Sequence, residues 1–138
     1  MPTILIVDDD FPSRRILARI LEQAGHTVYD AENGYDGVRQ AAAHPFDLAI
    51  VDLMMPEKDG IETILELRRA HPDLAIIAVS GGGDLGMGKD FLQVASQLGA
   101  DRVLQKPIEG EGLISAVEEL LSSSGKAQAE PRARAASK

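Results

Sequence analysis

A chain of 138 residues is long enough for one compact domain and short for two, and with 44% apolar residues it can bury a sizeable core. The absence of cysteine excludes a disulfide framework and a thiolate zinc site; no apolar run approaches the roughly 18 residues of a membrane span, and the N-terminus lacks a signal-peptide layout, so a cytoplasmic protein with no membrane partner is expected. Residues 1–121 carry 10 Lys/Arg and 21 Asp/Glu, a net of −11 that argues against direct nucleic-acid binding, whereas residues 122–138 carry four basic residues and one acidic, a net of +3.

In chain order, residues 4–7 (Ile-Leu-Ile-Val) form a β-rich run that ends in Asp8-Asp9-Asp10. Pro12 suits the first turn of a helix, which puts the N-cap at Asp10 or Phe11. Ile16, Leu17, Ile20, Leu21 and Ala24 recur at helical spacing until Gly25 supplies a stop. Residues 27–31 read as a second strand, Asn33-Gly34 as a turn, and residues 35–43 as a helix halted by His44-Pro45. Leu48-Ala49-Ile50-Val51-Asp52 is a continuous apolar run closed by one carboxylate, the pattern of a strand buried on both faces. The turn around Lys58-Asp59-Gly60 leads into a helix over residues 60–70 with Ile61, Ile64, Leu65 and Leu67. Residues 74–79 are another apolar run, closing on Ser80. Gly81-Gly82-Gly83 opens a loop, residues 89–98 read as a helix, and residues 102–105 as a brief fifth strand before Lys106-Pro107. The last helix carries Leu113, Ile114, Val117, Leu120 and Leu121 on one face. Residues 1–121 thus form the folded domain. Residues 122–138 show no apolar periodicity and are expected to be a disordered basic tail, too short for an output domain.

Five β runs alternating with five helical runs predict an α/β fold, a doubly wound parallel sheet with helices on both faces and right-handed crossovers. Ligands of such sheets bind outside the carboxyl ends of the strands. Strands one, three, four and five deliver Asp8, Asp9, Asp52, Ser80 and Lys106 to that edge. Carboxylates at ~4 Å repel by about 4 kcal/mol per pair at an effective dielectric near 20, a penalty that a divalent cation removes. Oxygen-only ligands suit Mg²⁺, and no His or Cys neighbours these positions to favour zinc. Mg²⁺, a Lys ammonium and a hydroxyl together make a site for a phosphoryl group, and a carboxylate among them can be the nucleophile. Asp52, alone at the central strand end, is the best candidate.

These residues carry a resemblance to the response-regulator receiver domains of two-component signalling: Asp8-Asp9 after the first strand, Asp52 followed by Met55-Pro56 and Asp59-Gly60, Ser80 after the fourth strand, and Lys106-Pro107 after the fifth. The resemblance spans residues 3 to about 121. It implies a flavodoxin-like five-stranded sheet of order 2-1-3-4-5. It also implies that Asp52 is the phosphoacceptor, that Asp9 and Asp52 bind Mg²⁺ directly and Asp8 through water, and that the Met54 carbonyl is a third protein ligand. Ser80 would be the switch hydroxyl, Lys106 the ammonium that pairs with the phosphoryl group, and Lys106-Pro107 a cis bond. The implied protein is a stand-alone signalling phosphoacceptor rather than an enzyme in its own right, served by a histidine kinase or a histidine-phosphotransfer protein and acting on a downstream protein. The sequence departs from the family at Val103, where an aromatic residue is common, and in a longer loop after Ser80.

Singly, each of these residues has a plainer reading: Asp8 or Asp10 as helix cap, Ser80 as a loop hydroxyl, Lys106 as a solvated charge. Their coincidence at one sheet edge is what favours the site. His26, His44 and His71 lie beside turns and read as surface residues. Two other functions compete. One is an interaction module that has lost phosphorylation, against which the complete five-residue set speaks. The other is a small P-loop enzyme, suggested by residues 83–89 (Gly-Asp-Leu-Gly-Met-Gly-Lys); but Asp90 stands where Ser or Thr should hold the metal, and its charge would repel phosphates.

Overall fold

The computed structural model describes residues 2–53, 60–80, 97 and 99–126. Within them five parallel strands, β1 (Thr3–Val7), β2 (Thr27–Ala31), β3 (Leu48–Asp52), β4 (Ala75–Ser80) and β5 (Arg102–Gln105), form one sheet in the order β2-β1-β3-β4-β5. Helices α1 (Phe11–Gln23), α2 (Gly34–Ala43), α3 (Gly60–Ala70) and α4 (Gly110–Lys126) cover it. The sheet order is the doubly wound, flavodoxin-like one expected from the sequence. The turn leading into Gly60, the loop at 81–88, all of the helix expected over 89–98 except residue 97, and the chain from 127 onward lie outside the described residues.

The sheet separates two cores. Leu5, Val7, Ala49, Val51, Ile76 and Ala78 face α2 and α3, while Ile4, Ile6, Leu48, Ile50, Ile77 and Val79 face α1 and α4. Successive residues of a strand point to opposite faces, so every residue of β3 and β4 is buried, and both strands are apolar up to their final residue.

The ends of α1 follow from local chemistry. Asp10 is the N-cap and accepts a hydrogen bond from the Ser13 backbone N–H at 3.0 Å. At the other end Gly25 adopts φ +99°; its N–H donates to the Glu22 carbonyl and that of His26 to Leu21, which is a Schellman motif. Two sequence expectations need correction on this helix. Ile16 is exposed, because the buried stripe is Leu17, Ala18 and Leu21, and Ile16 lies about 100° round the helix from Leu17. His26 is half-buried rather than a surface residue, and both ring nitrogens are buried without a hydrogen-bond partner among the described residues. The Schellman turn folds the chain back against the helix end at this position.

Leu65 on α3 is likewise exposed, at the margin of a face centred on Ile64 and Leu67. The last helix runs to Lys126, beyond residue 121 where the folded part was expected to end. Once the turns around Leu113, Ala116 and Val117 are packed, each added residue makes a further backbone bond at little cost, and serine is only mildly unfavourable in a helix.

One glycine is demanded by the approach of two elements at the site. A Cβ on Gly60 would lie 2.2 Å from the Asp52 carbonyl oxygen and 2.4 Å from Leu53 Cα. Both obstacles are backbone, so α3 can begin there only without a side chain. Gly60→Ala is therefore expected to destabilise the protein by about 1–3 kcal/mol in urea denaturation. Gly112→Ala, in α4 with open space around the added carbon, is expected to stabilise it by about 0.4–1 kcal/mol.

Candidate functional site

The parallel register brings the chemical groups together. Val7 of β1 pairs with Val51 of β3, so Asp8 and Asp52 follow side by side. Asp52 pairs with Val79 of β4, and Ser80 pairs with Gln105 of β5, so Ser80 and Lys106 complete the same edge. The Lys106 N–H donates to the Ser80 carbonyl at 2.8 Å, which extends the ladder by one residue. The Lys106-Pro107 bond is cis.

Asp8, Asp9 and Asp52 each offer a carboxylate oxygen to one cluster, with the three atoms within 4.8 Å of one another. Asp8 is 1% and Asp52 5% exposed, as is Ser80 at 5%, whereas Asp9 is open to solvent. The Lys106 ammonium reaches into the cluster from β5. Its Nζ donates to Asp52 Oδ2 at 3.3 Å and lies 3.7 Å from Asp8 Oδ2. Burial of this ammonium lowers its pKa, but attraction by Asp52 and Asp8, the hydrogen bond to Asp52 and the charge of Asp10 outweigh burial and leave it above the ordinary lysine value.

Asp8 is held from several sides. Its Oδ1 accepts from the Asp10 backbone N–H at 2.9 Å, and its own N–H donates to the Ala31 carbonyl at 3.1 Å. Its carbonyl oxygen accepts from Arg14 Nη1 at 2.8 Å. Arg14 also pairs with Asp30 of β2 through Nε at 3.2 Å. Nothing in the sequence distinguishes Arg14 from its neighbour Arg15 on an amphipathic helix; the fold turns the first inward and leaves the second exposed. Asp10 combines its cap role with the hydrogen bond to Asp8, so the plain reading of that residue and a place beside the cluster coexist.

Of the residues singled out from sequence, Asp8, Asp9, Asp52, Ser80 and Lys106 meet at this edge; Met54 lies outside the described residues, as do residues 83–90 with their P-loop-like pattern. Val103, at the position where the family often has an aromatic residue, is half-buried against the α2/α3 core. Among the described residues the arrangement is a pocket of three carboxylates facing one ammonium, with a buried hydroxyl-bearing residue alongside. It suits a hard cation and a doubly charged oxyanion together.

The model of the response regulator receiver domain matches residues 4–118. The chain belongs to this family. It is thus the receiver domain of a two-component response regulator. It is 34% identical over 122 residues to the response regulator receiver protein CpdR of Brucella abortus, covering 88% of this chain and 98% of that protein. It is 35% identical over 121 residues to the transcriptional regulator NtrC of Azospirillum brasilense, but spans only 24% of that longer protein. Among solved structures, a CheY-like receiver domain protein from Methanospirillum hungatei superposes with a TM-score of 0.84 at 28% identity, covering 91% of this chain and 98% of the other. The response regulator TrrA of Thermotoga maritima, solved in complex with Mg²⁺–BeF, superposes with a TM-score of 0.76 at 29% identity, covering 87% and 99%.

The pairing of Lys106 has a measurable consequence. A pKa raised by folding means stability that is fully present below the unfolded-state pKa and is lost as pH rises through the folded value. Lys106→Met should destabilise the metal-free protein by about 1–3 kcal/mol at pH 7, less than for a fully buried pair because the lysine side chain is 28% exposed. The gap between the wild type and Lys106→Met in urea denaturation should hold constant up to about pH 9 and shrink above about pH 10. A gap independent of pH would remove Lys106 from the carboxylate pair.

Proposed function

We propose that this receiver accepts a phosphoryl group on Asp52 from a histidine kinase or a histidine-phosphotransfer protein, with Mg²⁺ bound, and signals by changing which protein it binds. The observation that carries the reading is the meeting of Asp8, Asp9 and Asp52 around the Lys106 ammonium, with Ser80 beside them at the same sheet edge.

The donor set fits Mg²⁺. Among the described residues three carboxylates face one ammonium, which leaves an excess of two negative charges in a place where two of the carboxylates are buried. All the side-chain donors are oxygen, the ligand class of a hard cation that keeps several waters. Asp9 and Asp52 would hold the ion directly and Asp8 through water, with the Met54 carbonyl as a further protein ligand. When bound, Mg²⁺ supplies positive charge against the phosphoryl oxygens and offsets the repulsion among the carboxylates. TrrA, of the same fold and solved with Mg²⁺–BeF, supports this assignment.

The protein's own groups divide the remaining work. An oxygen of Asp52 attacks phosphorus as the bond from phosphorus to the donor nitrogen breaks, leaving an acyl phosphate on Asp52. Lys106, already 3.3 Å from Asp52, offers an ammonium to the transferred oxygens, and Ser80 offers a hydroxyl hydrogen bond. β3 and β4 are buried along their whole length, which gives the reacting carboxylate a rigid floor. Modification replaces the single charge of the Asp52 carboxylate with a phosphoryl group carrying roughly −1.5 to −2, so the sheet edge gains at most about one negative charge, spread over three further oxygens. Any rearrangement is a population shift, limited by how differently the two states interact with the new charge. The chain assists its own modification and is not an enzyme acting on a separate substrate.

Intact mass after incubation with acetyl phosphate and Mg²⁺ tests the reading. A gain of one phosphoryl group that needs Mg²⁺ and disappears in Asp52→Asn is expected; undiminished gain in that variant would place the acceptor elsewhere. Asp9→Ala should weaken Mg²⁺ binding at least tenfold, since it removes one carboxylate bound directly to the ion. An unchanged metal titration would exclude Asp9 from the ligands.

A further inference from the structure

Two neighbouring arginines on α1 have opposite fates. Arg15 is exposed, whereas the Arg14 side chain is 12% exposed and spans two acceptors. Its Nη1 donates to the Asp8 carbonyl oxygen at 2.8 Å and its Nε to an Asp30 carboxylate oxygen at 3.2 Å. Its guanidinium carbon lies 5.4 Å from the centre of the Phe11 ring. Withdrawing a guanidinium from water is costly, and its partner charge on Asp30 is itself partly solvated. What the burial achieves is a hydrogen bond to one particular backbone oxygen.

That oxygen belongs to the peptide joining Asp8 to Asp9. A peptide unit is planar, so holding its oxygen fixes the plane from which both carboxylate-bearing carbons project. The Asp10 N–H to Asp8 Oδ1 bond then sets the Asp8 side chain, and Lys106 approaches its other oxygen at 3.7 Å. Arg14 is anchored in turn. Asp30 sits in β2 opposite Ile6 of β1, and its carbonyl accepts from Gln40 Nε2 of α2 at 2.9 Å. Two helices and two strands therefore converge on the orientation of one peptide.

We propose that Arg14, braced by Asp30, is a positioning residue for the cation site: it orients the Asp8-Asp9 peptide so that both carboxylates converge with Asp52. This inference rests on the reading of the cluster as a divalent-cation site. Three roles for Arg14 predict three different signs. A guanidinium acting only through its charge repels a cation, so its removal would tighten binding. One that only cements α1 to β2 would change stability and leave affinity alone. One that positions the peptide would weaken affinity when it is lost, although a positive charge has been removed.

The test is a Mg²⁺ titration of the ¹⁵N-labelled full chain followed by amide shifts, well below the melting temperature of each variant. Arg14→Met keeps the aliphatic stem. Arg14→Lys keeps the charge but cannot bridge two acceptors with one ammonium, and it serves if the first variant folds poorly. Both are expected to weaken Mg²⁺ binding about tenfold, the usual effect of losing a group that orients a ligand, and to shift the metal-free amide resonances of Asp9 and Asp10. Affinity within twofold of wild type in both, or tighter binding in Arg14→Met, would overturn the proposal. Asp9→Ala run alongside separates the two levels. A wild type that does not respond to Mg²⁺, or that matches Asp9→Ala, overturns the cation site and this inference with it. A wild type that binds with the help of Asp9 while the Arg14 variants bind equally well overturns this inference alone.

Discussion

Three carboxylates gathered at one end of a sheet, two of them buried, are the constraint on which this structure turns. Each approaches the others within the range where like charges repel, and the Lys106 ammonium offsets only part of the excess. Such a cluster does not form by local preference. It requires a framework stable enough to force the groups together, and the two-sided core beneath them is that framework. The strands that carry Asp52 and Ser80 are buried on both faces and apolar up to those last residues. The burial that stabilises the sheet is thus set against the charge that destabilises its edge, as expected where a site is tuned for function rather than for stability.

The same edge economises on parts. Asp10 caps α1 and, through its own N–H, fixes Asp8. Gly60 lets α3 start against the backbone of Asp52 and Leu53, and its N–H donates to the Leu53 carbonyl at 3.2 Å. Lys106 extends the β4–β5 ladder with its backbone while its side chain crosses to Asp52 and Asp8. Structural and chemical roles fall on the same residues. Substitutions here are therefore best judged by paired readouts of stability and metal affinity, because either alone mixes two effects.

The unit recurs in different settings. It matches nearly the whole of CpdR and about a quarter of NtrC, so one receiver architecture serves proteins of very different length. Over the matched span this chain is 34% identical to the first and 35% identical to the second. On its surface this receiver exposes Phe11, Ile16 and Tyr35 on α1 and α2, and Val103 of β5 is half-buried against the α2/α3 core.

Much of the fold was legible in the sequence, because strands buried on two faces and amphipathic helices leave strong periodic marks. The limits of β2, β3, α3 and β5 could be read from apolar runs and turn residues, and Asp8, Asp9, Asp52, Ser80 and Lys106 could be picked out as strand-end groups. The boundaries that failed were set by energies without a residue signature. The last helix continues to Lys126 because propagation is inexpensive once packing has begun, and Ile16 is exposed because only the packed helix reveals where its stripe is centred. The orientation of the side chains belonged to the tertiary structure alone. Register places Asp8 beside Asp52, and distance across the sheet decides that Lys106 reaches both. Arg14 and Arg15 look alike in sequence; only the packing of α1 against β2 turns one toward the Asp8 carbonyl and leaves the other in water. A sequence records which groups are available and on which element, whereas their convergence depends on contacts between residues far apart in the chain.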